Sequence, residues 1–258
     1  MEFAGKAVPL SRDGFDQAAE TLSVGAPELW SVLSVETAGC GYLPDRRPRI
    51  LFERHIFHKE TGGKFDASHP SISRPVSGGY VGGAGEYDRL AEAIALDRVA
   101  ALESASWGIG QVMGFNASSA GFESVDGMVT AMIDDEDAQI AGAAEFMRAE
   151  GLHTSLRAHD WAAFAAGYNG ADFKKNQYDK RLEAAFNGFT AALPDIDVRR
   201  AQVLLMFLGI DPGRIDGIAG KRTRSAVAQF REQDGLPPSE DVNAALLDML
   251  ADHIQAGV

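Results

Sequence analysis

The sequence predicts a mainly α chain, an α+β domain with one small β region followed by a small three-helix bundle. Three observations carry that reading: apolar residues recur at helical spacing along most of the chain, a single segment is dense in β-favouring residues, and a break around Pro194 separates two helical patterns. With 258 residues the chain is long enough for two cores, and 45% apolar and 24% charged residues are ordinary for a folded protein.

Taken in order, Pro27 suits a first helical turn and Gly39 the position past a helix end, so Pro27 to Gly39 predicts a short helix whose apolar face holds Leu29, Val32 and Leu33. Arg49 to Phe57 follows Pro48, is rich in Ile, Leu and Phe, and predicts a strand. Ser77 to Gly85 is glycine-rich and predicts a loop. Helices are then expected around Tyr87, Leu90, Ala91 and Ile94, around Met128, Met132, Ile140 and Met147, and around Trp161, Phe164, Ala165 and Tyr168. Ala192 to Asp195 closes this unit, giving domains 1–192 and 195–258. In the second, three short helices are expected around Ala201 and Leu205, around Ala226, Val227 and Phe230, and around Leu246 and Leu250, with tight turns at the spaced glycines between the first two.

A net charge of -13, spread along the chain, argues against nucleic acid as a partner. No basic amphipathic helix and no stretch of about 18 apolar residues is present, so no membrane partner is expected. Cys40, the single cysteine, cannot form an intramolecular disulfide, and the first residues hold no apolar stretch typical of a signal peptide, so synthesis in the cytoplasm is expected, as is action as a monomer. His55, His58, His69 and Cys40 lack HExxH or any familiar ligand spacing, so neither metal nor cofactor is expected, and Cys40 has no partner motif for a nucleophile.

Glu36 is the first catalytic candidate. It falls seven residues after Leu29 on the same helical face as Val32 and Leu33, and desolvation there favours the neutral carboxyl, as a general acid requires. The alternative is a helix-end glutamate turned outward. For a second carboxylate, strand alternation over Arg49 to Phe57 puts Leu51, Glu53, His55 and Phe57 on one face, with Glu53 ranked ahead of Glu103.

Glu36-Thr37-Ala38-Gly39-Cys40-Gly41, then Ile50 to Phe57, then Ala105 to Asn116 (ASWGIGQVMGFN) resemble the N-acetylmuramidase domain of phage and prophage endolysins, over most of residues 20 to 190. The resemblance implies a lysozyme-like fold and hydrolysis of the β-1,4 bond between N-acetylmuramic acid and N-acetylglucosamine, with Glu36 as acid. It also implies a cleft lined by Gly108 to Gly114, including Gly110 and Gln111, and Tyr168-Asn169-Gly170 close to the acid. Consistent with it, Gly108, Gly110 and Gly114 permit close approach to a bulky ligand, and Trp107 offers a ring for sugar stacking. Tyr168 is either a core tyrosine or a hydroxyl partner of Glu36.

Gln202, Leu205, Leu208, Gly209, Ile215, Asp216, Gly217, Gly220, Thr223, Ala226, Val227, Phe230, Gly235 and Leu236 resemble the peptidoglycan-binding three-helix module, with Arg231 departing from its usual Gln. This implies peptidoglycan as the partner. The motif residues Asp216, Gly217, Gly220 and Thr223 are expected to build turns and caps. Release through a phage pore is implied for an enzyme of this kind, and deletion of residues 195 to 258 is expected to affect intact walls more than short soluble oligomers. A lytic transglycosylase using the same acid, a zinc amidase or peptidase, and a non-catalytic wall-binding protein are the alternatives.

Overall fold

The structure, a computed structural model, describes residues 3–36 and 39–256. Helix α1 (Arg12–Leu22) is capped by the Ser11 hydroxyl, which accepts from the Gly14 amide. It is followed by α2 (Ala26–Glu36), in which Leu29, Trp30, Ser31, Val32, Leu33 and Val35 are all buried. A helix apolar on nearly every side belongs inside a domain, and α2 is enclosed there.

The β region is smaller than expected. Strand β1 (Ile50–Phe52) pairs antiparallel with β2 (Ala105–Trp107), Phe52 opposite Ala105, and β2 pairs with β3 (Val112–Met113). The strand anticipated through Phe57 stops at Phe52: Glu53 is the residue before helix α3 (Arg54–Glu60), with extended backbone. Short apolar runs satisfy either period, and here the helix turns Phe57 into the core against Phe52, ring centroids 5.8 Å apart. The alternation that grouped Leu51, Glu53, His55 and Phe57 is therefore void.

Ser77 to Gly82 forms a loop leading through a 3-10 turn at Gly83–Gly85 into α4 (Glu86–Leu96), and α5 (Arg98–Glu103) precedes β2. Helices α6 (Val125–Asp134) and α7 (Glu136–Ala149) carry Met128, Met132, Ile140 and Met147 into the core, and α8 (Leu152–Arg157), α9 (Trp161–Asn169) and α10 (Tyr178–Ala191) complete this half, α10 lying along α2.

Helices α11 (Ile196–Phe207), α12 (Lys221–Gln233) and α13 (Ala244–Ala256) share a core of Ala201, Leu205, Ala226, Val227, Phe230, Leu246 and Leu250. The opposite face of α11 packs on the first half of the chain. Val203 and Ile215 meet Ala7, Cys40 and Tyr42, and the Tyr42 and Phe207 rings lie 6.1 Å apart. Among them Arg199 forms a two-pronged pair with Glu136 at 2.8 and 2.9 Å, both side chains essentially inaccessible. The three-helix unit is docked through a buried surface, so its deletion would strip a counter-charge from the interior of the other half.

Candidate active site

Three carboxyl-bearing candidates fall at element ends: Glu36 at the end of α2, Glu53 just after β1 and Glu103 at the end of α5. Glu36 is the last residue of α2, and its side chain, like that of Asn169, lies outside the described residues. After α2 the chain runs along the start of β1, where the Arg49 amide donates to Gly41 O at 2.7 Å and the Gly108 amide to Arg49 O at 2.9 Å. Glu53 is at the far end of the same strand, its amide donating to Ser104 O at 2.8 Å, directly beside Glu103 in sequence. From Arg49 to Glu53 is about 13 Å of extended backbone, at a rise near 3.3 Å per residue.

Glu53 is largely buried, and the Tyr80 hydroxyl donates to it, 2.9 Å from Oε1 and 2.7 Å from Oε2. His55 Nδ1 lies 3.1 Å from Oε2 without hydrogen-bond alignment. Burial and the Glu53 carboxylate together push Tyr80 up to about 12, so it stays a donor at neutral pH. Tyr80 reaches Glu53 because Glu86, fully buried, accepts from the Val81 amide at 2.7 Å, the Gly82 amide at 2.9 Å and the Phe52 amide at 3.2 Å, tying the glycine-rich loop to β1. Burial raises the Glu86 carboxyl, but these donors and Arg89, 2.7 Å away, outweigh it and hold it below the usual carboxylate range. Glu103 ends α5, and burial, Glu60 and Asp97 raise its carboxyl.

The glycine segment is the β2–β3 hairpin, and its glycines admit protein rather than ligand. A Cβ on Gly110 would strike the Ala143 side chain, one on Gly114 the Leu102 carbonyl, and one on Gly108 would come within 2.6 Å of Gln139. Trp107 corrects the expectation of a stacking platform: its ring is fully buried against Phe3 and its Nε1 donates to Leu102 O at 3.1 Å, so no sugar can reach it. Gln111, at φ 47°, accepts from Ser106 Oγ and donates to Arg49 O and Gly108 O, which commits its amide to closing the hairpin. Tyr168 stacks on Phe164, 5.6 Å between centroids, and its hydroxyl donates to Gly110 O at 2.5 Å.

Sequence reasoning missed Gln139 and Glu136, both on α7. Buried Gln139 accepts from the Ile109 amide and donates to Met132 O, each at 2.7 Å. Glu136 accepts from the Leu10 and Gly41 amides, each at 2.7 Å, as well as from Arg199. Burial raises its carboxyl, but the Arg199 charge and these donors outweigh burial and hold it below the usual range. Polar residues three apart on the face that also holds Ile140 and Ala143 were the available signal. Cys40 is fully buried beside Glu136, and both effects push its thiol far up, which makes it inert as a nucleophile. Among the described residues no three His, Cys, Asp or Glu side chains converge as metal ligands, and no helix is long and apolar enough to cross a membrane.

In the three-helix unit, Gln202 organises the turn. Its Oε1 accepts from the Asp216 and Gly217 amides, and its Nε2 donates to Ile218 O and Thr223 Oγ1 at 3.1 Å. Thr223 Oγ1 donates to Pro212 O, Gly217 has φ 72°, and Gly220 precedes the first turn of α12, so these motif residues face inward.

The N-acetylmuramidase family model matches residues 25–190 and the peptidoglycan binding domain model residues 195–250. Among solved structures, the chain is similar to an endolysin of Burkholderia phage AP3, with 37% identity over 72% of each chain and a TM-score of 0.68. No curated protein matches. With the muramidase match spanning well over half its length, this chain belongs to the N-acetylmuramidase family of peptidoglycan hydrolases.

Proposed function

We propose that the protein is an endolysin that hydrolyses the β-1,4 bond between N-acetylmuramic acid and N-acetylglucosamine, with Glu36 as general acid and Glu53 as the second carboxylate. The observation that supports the reading is that α2, a helix buried through Leu29, Val32, Leu33 and Val35, ends at Glu36, while the residue after β1 is Glu53, whose carboxylate accepts from the Tyr80 hydroxyl. As general acid, Glu36 gives its proton to the glycosidic oxygen. Glu53, held as an acceptor by Tyr80, then serves the developing positive charge at the anomeric carbon or the attacking water. Residues 1–192 carry the chemistry and 195–258 hold the wall. The chain acts as a monomer, without cofactor, and reaches the wall when a phage lysis pore releases it.

Mass spectrometry of soluble fragments from purified peptidoglycan tests this, comparing the native chain with Glu36→Gln. Reducing-end muramic acid that is lost by at least a thousandfold in the variant, an acid's ordinary contribution combined with its positioning, is the expected result. Anhydro ends would make the enzyme a transglycosylase, and cleaved peptide stems persisting in the variant would overturn the glycosidase reading.

A further inference from the structure

Between the last turns of α2 and the loop joining α11 to α12 lies a cavity of about 750 Å³, walled by both halves of the chain. Among the described residues, four arginines line it, Arg49, Arg181, Arg199 and Arg214, against one carboxylate, that of Asp216. Arg199 is neutralised by Glu136, and Asp216 Oδ1 is engaged by Gln202 Nε2 at 3.3 Å and by the Ile218 amide at 3.0 Å. The other three have no carboxylate partner among the described residues: Arg49 Nε donates to Cys40 O at 2.9 Å, Arg181 Nη2 to Val35 O at 3.2 Å, and Arg214 is exposed at the rim.

On a chain of net charge -13, a concavity whose described lining holds more arginines than carboxylates is a local reversal of sign. Guanidinium forks at the edge of a partly enclosed space favour a carboxylate, which they bind through charge-assisted paired hydrogen bonds. The substrate class proposed above supplies that group in one of two ways: as the lactyl carboxylate of a muramic acid without a peptide, or, where that carboxyl is taken up in the amide to a peptide, as a carboxylate of the peptide itself. A polymer of N-acetylglucosamine alone has neither.

We propose that this cavity binds a carboxylate of the peptidoglycan strand, seating the anionic polymer beside the α2 turn that ends in Glu36 and bridging Arg181 of the first half to Arg214 of the second. This rests on the muramidase reading. It adds a source of discrimination between muramic-acid-containing strands and neutral ones, in an interface where the wall-binding unit completes a substrate site.

The test uses the full chain and calorimetric titration with three soluble probes: the disaccharide N-acetylglucosaminyl-N-acetylmuramic acid, with a free lactyl carboxylate; muramyl dipeptide, with a peptide carboxylate; and neutral chitotetraose. At least one acidic probe should bind about tenfold or more tighter than chitotetraose, and the advantage should fall in high salt. Arg181→Gln/Arg214→Gln should remove that advantage, leave chitotetraose unchanged and leave the melting temperature unchanged, while the corresponding double lysine variant recovers part of it. Preference for the disaccharide identifies the lactyl group, and preference for the dipeptide the peptide. Equal affinity for acidic and neutral probes, no binding of either acidic probe, or full retention of the preference in the glutamine variant would overturn the proposal. Failure of the native chain to release muramic acid ends from peptidoglycan would instead strike the underlying function, independently of these affinities.

Discussion

Replacing Arg199 by methionine keeps much of its volume and removes its charge from a site with 1% exposure, leaving the fully buried Glu136 carboxylate, among the described residues, with the Leu10 and Gly41 amides as donors. Breaking one side of a buried ion pair costs about 3–5 kcal/mol. At about 2–4 °C per kcal/mol for a chain of this size, Tm should fall by roughly 10 °C at pH 7. The pH dependence supplies a sharper sign. In the native chain the folded Glu136 value is depressed, so its contribution is complete above the unfolded value of about 4.3 and is lost only as pH falls below it. In Arg199→Met burial acts unopposed, the folded value rises above the unfolded one, and the penalty is relieved as pH drops from 7 toward 5. Calorimetric melting of both proteins at pH 7 and 5 should therefore show the gap narrowing on acidification. A variant within 2 °C of native at pH 7, or a gap that widens at pH 5, would refute the account of the interface. The same reasoning predicts that a chain cut after Ala192 loses turnover of short soluble oligomers as well as of walls, contrary to the expectation for a tethered anchor.

Other outcomes follow from single side chains. Tyr80→Phe removes the donor shared by both Glu53 oxygens and should lower kcat on soluble oligomers by about tenfold with KM little changed, the size expected for one charge-assisted hydrogen bond; an unaltered kcat would remove Tyr80 from the site. Glu103→Gln abolishes a carboxylate already raised by burial, Glu60 and Asp97, so its activity should stay within twofold of native, whereas Glu53→Gln should be nearly inactive; the reverse ranking would exchange their roles. Gly110→Ala forces a methyl into Ala143 and should cost about 1–3 kcal/mol, read by chemical denaturation; a neutral result would show that the hairpin can shift.

Much of the architecture was legible because it is periodic. The buried face of α2, the Met-bearing faces of α6 and α7 and the three helices around Phe230 follow from spacing, since a helix that must hide one side writes that requirement at i, i+3 and i+4. Turn chemistry was equally local: Asp216, Gly217, Gly220 and Thr223 were expected to fold a turn, and Asp216, Gly217 and Thr223 bond to Gln202 while the Gly220 amide donates to Ile218 O. The strand through Phe57 failed for the converse reason, because a short apolar run carries both periods and only the packing of Phe57 on Phe52 selects the helix. Trp107 and the glycines were assigned to ligand because their residue types suit sugars as well as they suit cores, and only contacts with Phe3, Ala143 and Gln139 decide between the two.

What the sequence by itself determined is the set of local elements, the candidate acid on its apolar helix and the two family resemblances. What only the tertiary structure decided is which distant groups share one interior: Tyr80 on Glu53, Glu136 paired with Arg199 across 63 residues, and arginines from both halves around one cavity. The physical reason is that burial and charge pairing depend on surroundings no local window contains. Arg199 sits in an ordinary helical run, and it becomes the counter-charge of Glu136 only because Val203 and Ile215 close over Cys40 and Tyr42 and shut water out.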